Sequence, residues 1–239
     1  MRIEPEGHPC FNGAMIEIRN ATKRYGDTIA LNGLSLQIPA GKITVICGPS
    51  GSGKTTLLRI LAGLEQLDEG EVKGVPEKTV MAFQDGRLIP SASVLHNVMY
   101  GLDTRVYSGK EREKRALAAM KLCQCPPRDQ KAGTLSGGQV QKTALARAII
   151  SCPQLLLLDE PFSSLDGKTR RELQDTLLRI RKDLDLTVIL VTHDLAEAWK
   201  LGDYLVLLED GCCVETGNPE TVLSHRDFLL FPETEFSGY

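Results

Sequence analysis

Two stretches near the start of the chain alternate apolar and polar residues, "MIEIRN" from Met15 and "LSLQI" from Leu34. A period of two turns one side of each toward a core and the other toward water, which predicts half-buried antiparallel strands. Three later stretches do not alternate. "KITVIC" from Lys42, "QLLLLDE" from Gln154 and "TVILVTH" from Thr187 are almost continuously apolar before their last residues. Strands covered on both faces of a parallel sheet have that pattern. Elsewhere the period becomes helical. "TTLLRILAGL" is apolar nearly all round, which predicts a helix covered on several sides. Gly63 suits its C-terminal end. "RRELQDTLLRIRKDL" carries Leu173, Leu177, Ile180 and Leu184 on one stripe. A further helix runs to about Ser151 with Val140, Ala144, Leu145, Ala148 and Ile149 on one face, and Pro153 stops it. "YLVLLEDGCCVE" reads as a hairpin turning at Asp210-Gly211.

From Gln84 to about Ala132 the texture shifts to short helical pieces and loops. "GKEREKRALAAMKL" offers only a rough apolar face of Leu117, Met120 and Leu122. Leu88, Ile89, Val94, Leu95, Val98 and Met99 give more apolar surface than a small lobe must bury. They form either that lobe's own core or a groove for a partner's helix. The combined pattern predicts an α/β fold with a mainly parallel sheet and helices on both faces. An N-terminal antiparallel β subdomain and a helical sub-lobe inserted over about residues 85–150 complete it. Residues 1–14 have no periodicity and read as a disordered extension. The folded domain is expected over 15–225, with a short tail at 226–239.

Composition narrows the class only a little. The 239 residues are 42% hydrophobic and 25% charged, enough for one large domain with a buried core. A net charge of -3 argues against a nucleic-acid surface, which needs a basic excess. The longest apolar runs fall far short of the roughly 20 residues of a spanning helix. The first residues hold no apolar signal stretch. A cytoplasmic protein, alone or docked on something, is therefore expected. Seven cysteines, an odd number without framework or metal-site spacing, read as free thiols.

Candidate chemistry begins where "KITVIC" ends. "GPSGSGKT" (Gly48, Pro49, Ser50, Gly51, Ser52, Gly53, Lys54, Thr55) is a complete phosphate-loop pattern, flanked by a strand and a helix as that loop requires. It predicts a P-loop NTPase core. Glycines let backbone N–H groups wrap phosphates at a helix N-terminus. Lys54 adds a positive charge that serves binding and catalysis, and the Thr55 hydroxyl can ligate Mg²⁺. Thr56 is counted with this nucleotide site. Asp159 and Glu160 close "LLLLDE"; consecutive strand residues point opposite ways, so the two are expected to do different work. Asp159 suits the Mg²⁺ shell and Glu160 the general base on an attacking water. His193 and Gln84 each end an apolar strand, where ligands collect in open α/β sheets. His193 suits the terminal phosphate and the water, and Gln84 the Mg²⁺ or the water. A second loop of bare N–H groups, "LSGGQ" (Leu135 to Gln139), has no nucleotide of its own to hold.

Phosphate loop, Gln84, "LSGGQ", "LLLLDEP", "SSLD" and His193 stand in the order found in ABC-transporter ATPase subunits, which the chain resembles over about residues 15–225. The resemblance implies that two such domains pair head to tail. Ser136, Gly137, Gly138 and Gln139 of one would close over ATP on the other's phosphate loop, and "SSLD" would line the same interface. It implies ATP and Mg²⁺ as ligands and a homodimer as the simplest closure. It also implies a peripheral place on the inner face of the cell membrane, a permease partner, and a solute-binding protein acting indirectly. Tyr25 of "KRYGD" corresponds to the aromatic that stacks on adenine; a plain strand-end aromatic is the other reading. "VQK" (Val140, Gln141, Lys142) replaces the common "QQR", a departure expected to alter local charge more than chemistry. The text around "DEPFSSLD" and "FQDGRLIPSASVLHNV" looks closest to bacterial importers of sulfonates, nitrate or thiamine precursors. An exporter or lipoprotein-releasing ATPase, or a soluble non-transport ABC protein, is the alternative.

Overall fold

A computed structural model describes residues 15–224. The expected extension at 1–14 lies outside the described residues, and so does the tail. Nine strands and seven α-helices occur among the described residues. The alternating stretches become β1 (Ile16–Tyr25) and β2 (Thr28–Ile38), an antiparallel pair extended on the β1 side by β4 (Glu69–Lys73). Their inward residues Ile16, Ile18, Leu34 and Ile38 are almost fully buried.

A six-stranded sheet carries the continuous apolar runs. Its members are β3 (Ile43–Cys47), β5 (Thr79–Ala82), β6 (Leu155–Asp159), β7 (Thr187–Thr192), β8 (Tyr204–Glu209) and β9 (Cys212–Gly217), in the order β5-β6-β7-β3-β8-β9. All pairs are parallel except the final β8–β9 hairpin. Its turn residues Asp210 and Gly211 both have positive φ, at 48° and 76°. That conformation matches the twist of the flanking strands.

Side chains of one strand feed two cores. Leu155 and Leu157 face a core shared with the small sheet and α1 (Lys54–Leu61). Leu156 and Leu158 face a core shared with α4 (Gly137–Ile149) and α5 (Gly167–Leu184). This is why the runs show no alternation. It is also why α1, between two sheets, buries Leu57, Leu58 and Leu61. Gly63 follows α1 with φ 69°.

The helical pieces after Gln84 are α2 (Val94–Met99), α3 (Gly109–Leu122) and α4, and their apolar residues join the second core without a break. Leu117 of α3 is exposed, so the expected face is corrected. Met120 is buried as expected and Leu122 packs partly buried against the core, while Ala116, Ala119 and Cys123 join them in place of Leu117. Small side chains let α2 and α4 approach closely, which residue size alone did not suggest. Val94, Leu95 and Val98 are core, while Ile89 is 42% exposed. Of the stripe on α5, Leu184 is only half-buried. The remaining helices are α6 (Leu195–Leu201) and α7 (Pro219–Ser224).

Candidate functional site

The C-terminal ends of β3, β6 and β7 lie side by side in the sheet. Each is followed by one of the predicted polar residues. After β3 the chain enters the glycine loop. Gly51 and Gly53 adopt φ 83° and 95°, which disfavours any side chain. A Cβ on Gly48 would collide with the Leu208 carbonyl, and one on Gly53 with the Ala30 carbonyl. The loop is thus pinned between the end of β8 and the β1–β2 hairpin. Pro49, Ser50 and Gly51 form its exposed crest, and Ser52 is buried beneath. Lys54 is 6% exposed and turned into the loop, where its Nζ donates to the Gly48 and Pro49 carbonyls at 2.7 Å each. Burial pushes its pKa down, against the pull of Glu160 and Asp159. Thr56 is half-buried on α1 beside Thr55.

Thr55 Oγ1 donates to Asp159 Oδ1 at 3.1 Å. Burial raises the Asp159 pKa, with the Thr55 bond working the other way and the Glu160 charge adding to the rise. Glu160 lies beyond β6 with a left-handed backbone, φ 44°. The expectation that strand alternation separates the two carboxylates is therefore corrected: a backbone twist at Glu160 does so. That twist is held by the Glu160 N–H donating to the Val191 carbonyl at 3.0 Å. The Glu160 carboxylate then meets His193 Nδ1 at 3.3 Å, and His193 is exposed just beyond β7.

Gln84 stands two residues past β5, in a turn. Its Nε2 donates to Ser163 Oγ at 3.0 Å, and that hydroxyl donates to the Glu160 carbonyl at 3.1 Å. Ser163 thereby joins the site, a role that "SSLD" as an interface segment did not reveal. Gln141 was missed as well; its Nε2 donates to the Gln84 carbonyl at 2.5 Å.

The second loop stands apart from this group. Ser136 caps α4, accepting from Gln139 N at 3.4 Å while Gln139 Oε1 accepts from Ser136 N at 3.0 Å. This reciprocal box leaves Ser136 and Gly137 exposed at a helix N-terminus. Gly137 and Gly138 pack against Leu165 and Thr169 at the start of α5. Tyr25 also stands apart. It is 45% exposed, and its hydroxyl donates to Glu65, which follows α1 at the end opposite Lys54.

Comparison with known proteins yields a family and specific relatives. A family model described as "ABC transporter" matches residues 31–163, more than half the chain. The aliphatic sulfonates import ATP-binding protein SsuB of Corynebacterium glutamicum is 46% identical over 195 residues, covering 81% of this chain and 80% of its own length. The spermidine/putrescine import ATP-binding protein PotA of Pseudomonas aeruginosa is 40% identical over 233 residues, covering 93% of this chain. The chain spans only 62% of that relative's length. Among solved structures, an ATP-binding cassette caught as a dimer in a post-hydrolysis state with ADP and Pi superposes with a TM-score of 0.76. It is 32% identical, over 85% of this chain and 98% of that one.

Proposed function

This chain belongs to the ABC transporter family as an ATP-hydrolysing subunit, and we propose that it powers import of a small solute of the sulfonate type. The carrying observation is the group at the C-terminal ends of the central strands. A phosphate loop, a hydroxyl–carboxylate pair and a glutamate–histidine pair stand on neighbouring strand ends. In this reading Lys54 leaves its own loop carbonyls for the β- and γ-phosphates, a stronger charge-assisted partner. Glu160 accepts the proton of the attacking water. His193, held against Glu160, donates to the terminal phosphate. The hard oxygens of Thr55 and Asp159, 3.1 Å apart, suit Mg²⁺. Mg²⁺ would neutralise phosphate charge there, and Gln84 would reach it through Oε1 while its Nε2 keeps the bond to Ser163.

A second copy of the chain completes the site. Ser136 and Gly137 are exposed, and the glycines pack at the start of α5, so the phosphate they suit is a partner's. The docked assembly then includes a permease, reached through the lobe surface at Ile89 and Tyr100, 42% and 58% exposed, and a solute-binding protein beyond it. Among the described residues no helix is long and apolar enough to cross a membrane, consistent with a peripheral subunit on the inner face. Sulfonate is preferred over polyamine because the sulfonate relative matches with higher identity and over more of its own length.

Glu160→Gln is the direct test. The amide keeps the side chain's shape but cannot take a proton. Turnover should fall by about 10²–10⁴-fold while ATP binding persists. The variant should accumulate as an ATP-dependent dimer in size-exclusion chromatography with light scattering. Turnover near the native rate would place the base elsewhere. Stimulation of the reconstituted transporter by sulfonate-loaded rather than polyamine-loaded binding protein would separate the two solute classes.

A further inference from the structure

Helix α4 does more than carry the serine–glycine loop at its start. It grips the turn after β5 at three points. Gln141 Nε2 donates to the Gln84 carbonyl at 2.5 Å. A Cβ on Gly86 would stand 2.6 Å from Val140 Cγ1, so the turn lies flat against the helix. Arg147 donates to the Gly86 and Arg87 carbonyls at 2.5 and 2.8 Å. Gly86 and Arg87 both have positive φ, 66° and 40°. At Arg87 that conformation is held by surroundings, not by local preference.

Of the three contacts, the Gln141 bond reaches the residue that matters chemically. Gln141 is 7% exposed and borders an apolar crevice lined by Leu145, Phe162, Leu173 and Leu177. Loss of its donor would remove a part-buried hydrogen bond from the Gln84 carbonyl. From Gln84 the hydrogen bonds continue: Gln84 to Ser163 at 3.0 Å and Ser163 to the Glu160 carbonyl at 3.1 Å; the Glu160 carboxylate in turn lies 3.3 Å from His193 Nδ1. Through Gln84 and Ser163 these bonds link the helix that presents Ser136 to the backbone of Glu160 in the same subunit.

We propose that Gln141 is a positioning residue for hydrolysis. By holding the Gln84 carbonyl it sets the Gln84 amide on Ser163, and through Ser163 it sets the Glu160 backbone. The helix that meets a partner's nucleotide and the base that serves the subunit's own nucleotide then move together. The catalytic half of this inference rests on the ATPase reading above; the structural half does not.

The test uses the full chain with Gln141→Leu and Gln141→Glu. The Gly86 N–H donates to the Phe83 carbonyl at 2.9 Å and reports on the turn. In Gln141→Leu without nucleotide, Gly86 should exchange its amide hydrogen about tenfold faster, with α4 amides unchanged. Its kcat should fall about tenfold with KM for ATP within about twofold. In Gln141→Glu the ionised carboxylate repels the carbonyl, whereas the protonated one can donate to it. Its kcat relative to the native protein should therefore recover as pH is lowered. Native exchange at Gly86 in the leucine variant, uniform acceleration along α4, or a glutamate variant with the native pH profile would each overturn the proposal. A native protein that hydrolyses no ATP would sink the ATPase reading instead, and Gly86 exchange would still decide whether Gln141 holds the turn.

Discussion

Charged side chains in the candidate site are held where burial works against their charge. Lys54 is turned inward onto backbone carbonyls, and burial lowers its pKa; burial raises that of Asp159. In the function proposed above, such an arrangement would favour binding of phosphates and a cation at the expense of the ligand-free fold. The sign for Asp159 follows from linkage. Its folded pKa is raised, so the native state binds the proton more tightly than the unfolded chain. The penalty is complete above the folded pKa and is relieved as pH falls through it. Asp159→Asn keeps an oxygen for the Thr55 hydroxyl and removes the charge. At neutral pH without nucleotide it should melt higher than the native protein, by about 2–4 °C for each kcal/mol recovered. The gain should shrink as pH is lowered. A melting temperature at or below native at neutral pH would show that the carboxylate is not under this penalty. The residue types of the site were readable in the sequence, because Lys54, Thr55, Asp159 and His193 sit at strand and loop ends marked by apolar runs. The left-handed backbone of Glu160 was not, since no glycine or asparagine marks it. Ser163 was equally hidden, because its partner Gln84 is 79 positions away.

Elements were legible where one face decides burial and obscure where contact with another element decides it. The β3, β6 and β7 runs stood out because both their faces are covered. On α3, small residues are buried and Leu117 is not, a choice set by how closely neighbouring helices approach. On α4, a glutamine in an amphipathic pattern reads as surface, and only the fold brings Gln84 against Gln141. "SSLD" shows the same limit. Asp166, assigned to an interface, accepts from the backbone N–H groups of Lys168 and Thr169 at 3.1 and 3.0 Å and so caps α5. These bonds lower its pKa, the contact with Thr169 most of all, so the cap is strongest above the ordinary aspartate range and weakens as pH falls through the lowered value. Asp166→Ala should lower the melting temperature by about 2–4 °C, whereas Asp166→Asn, which can still accept, should stay near native. Thermal unfolding by circular dichroism measures both. Equal effects of alanine and asparagine on turnover, with melting unchanged, would show that the cap is not what this residue contributes, whether or not it also lines an interface.

At the scale of the whole molecule, one chain holds two glycine-rich helix starts, and the function proposed above gives them different nucleotides. Lys54 opens α1 at the C-terminal ends of the central strands; Ser136 opens α4, packed on the start of α5. Neither loop moves to the other's site without unpacking a core, so the proposed composite site requires two subunits facing head to tail. Ser136→Arg puts a bulky side chain where a partner's γ-phosphate must sit and leaves the subunit's own phosphate loop untouched. It should bind a fluorescent ATP analogue like the native protein but fail to form an ATP-dependent dimer or turn over. Lys54→Ala should fail at the earlier step and bind no analogue, because the loop loses its cation. Mixing the two inactive variants separates action in trans from action in cis. In a mixed dimer one composite site carries both lesions, while the other pairs an intact phosphate loop with an intact serine–glycine loop. If the loop acts in trans, the mixture should regain ATPase activity that neither variant shows alone, because one site per mixed dimer is whole. If Ser136 served its own subunit's nucleotide, every phosphate loop would be damaged directly or through its own α4, and no mixture would recover. Loss of analogue binding by Ser136→Arg alone would point the same way.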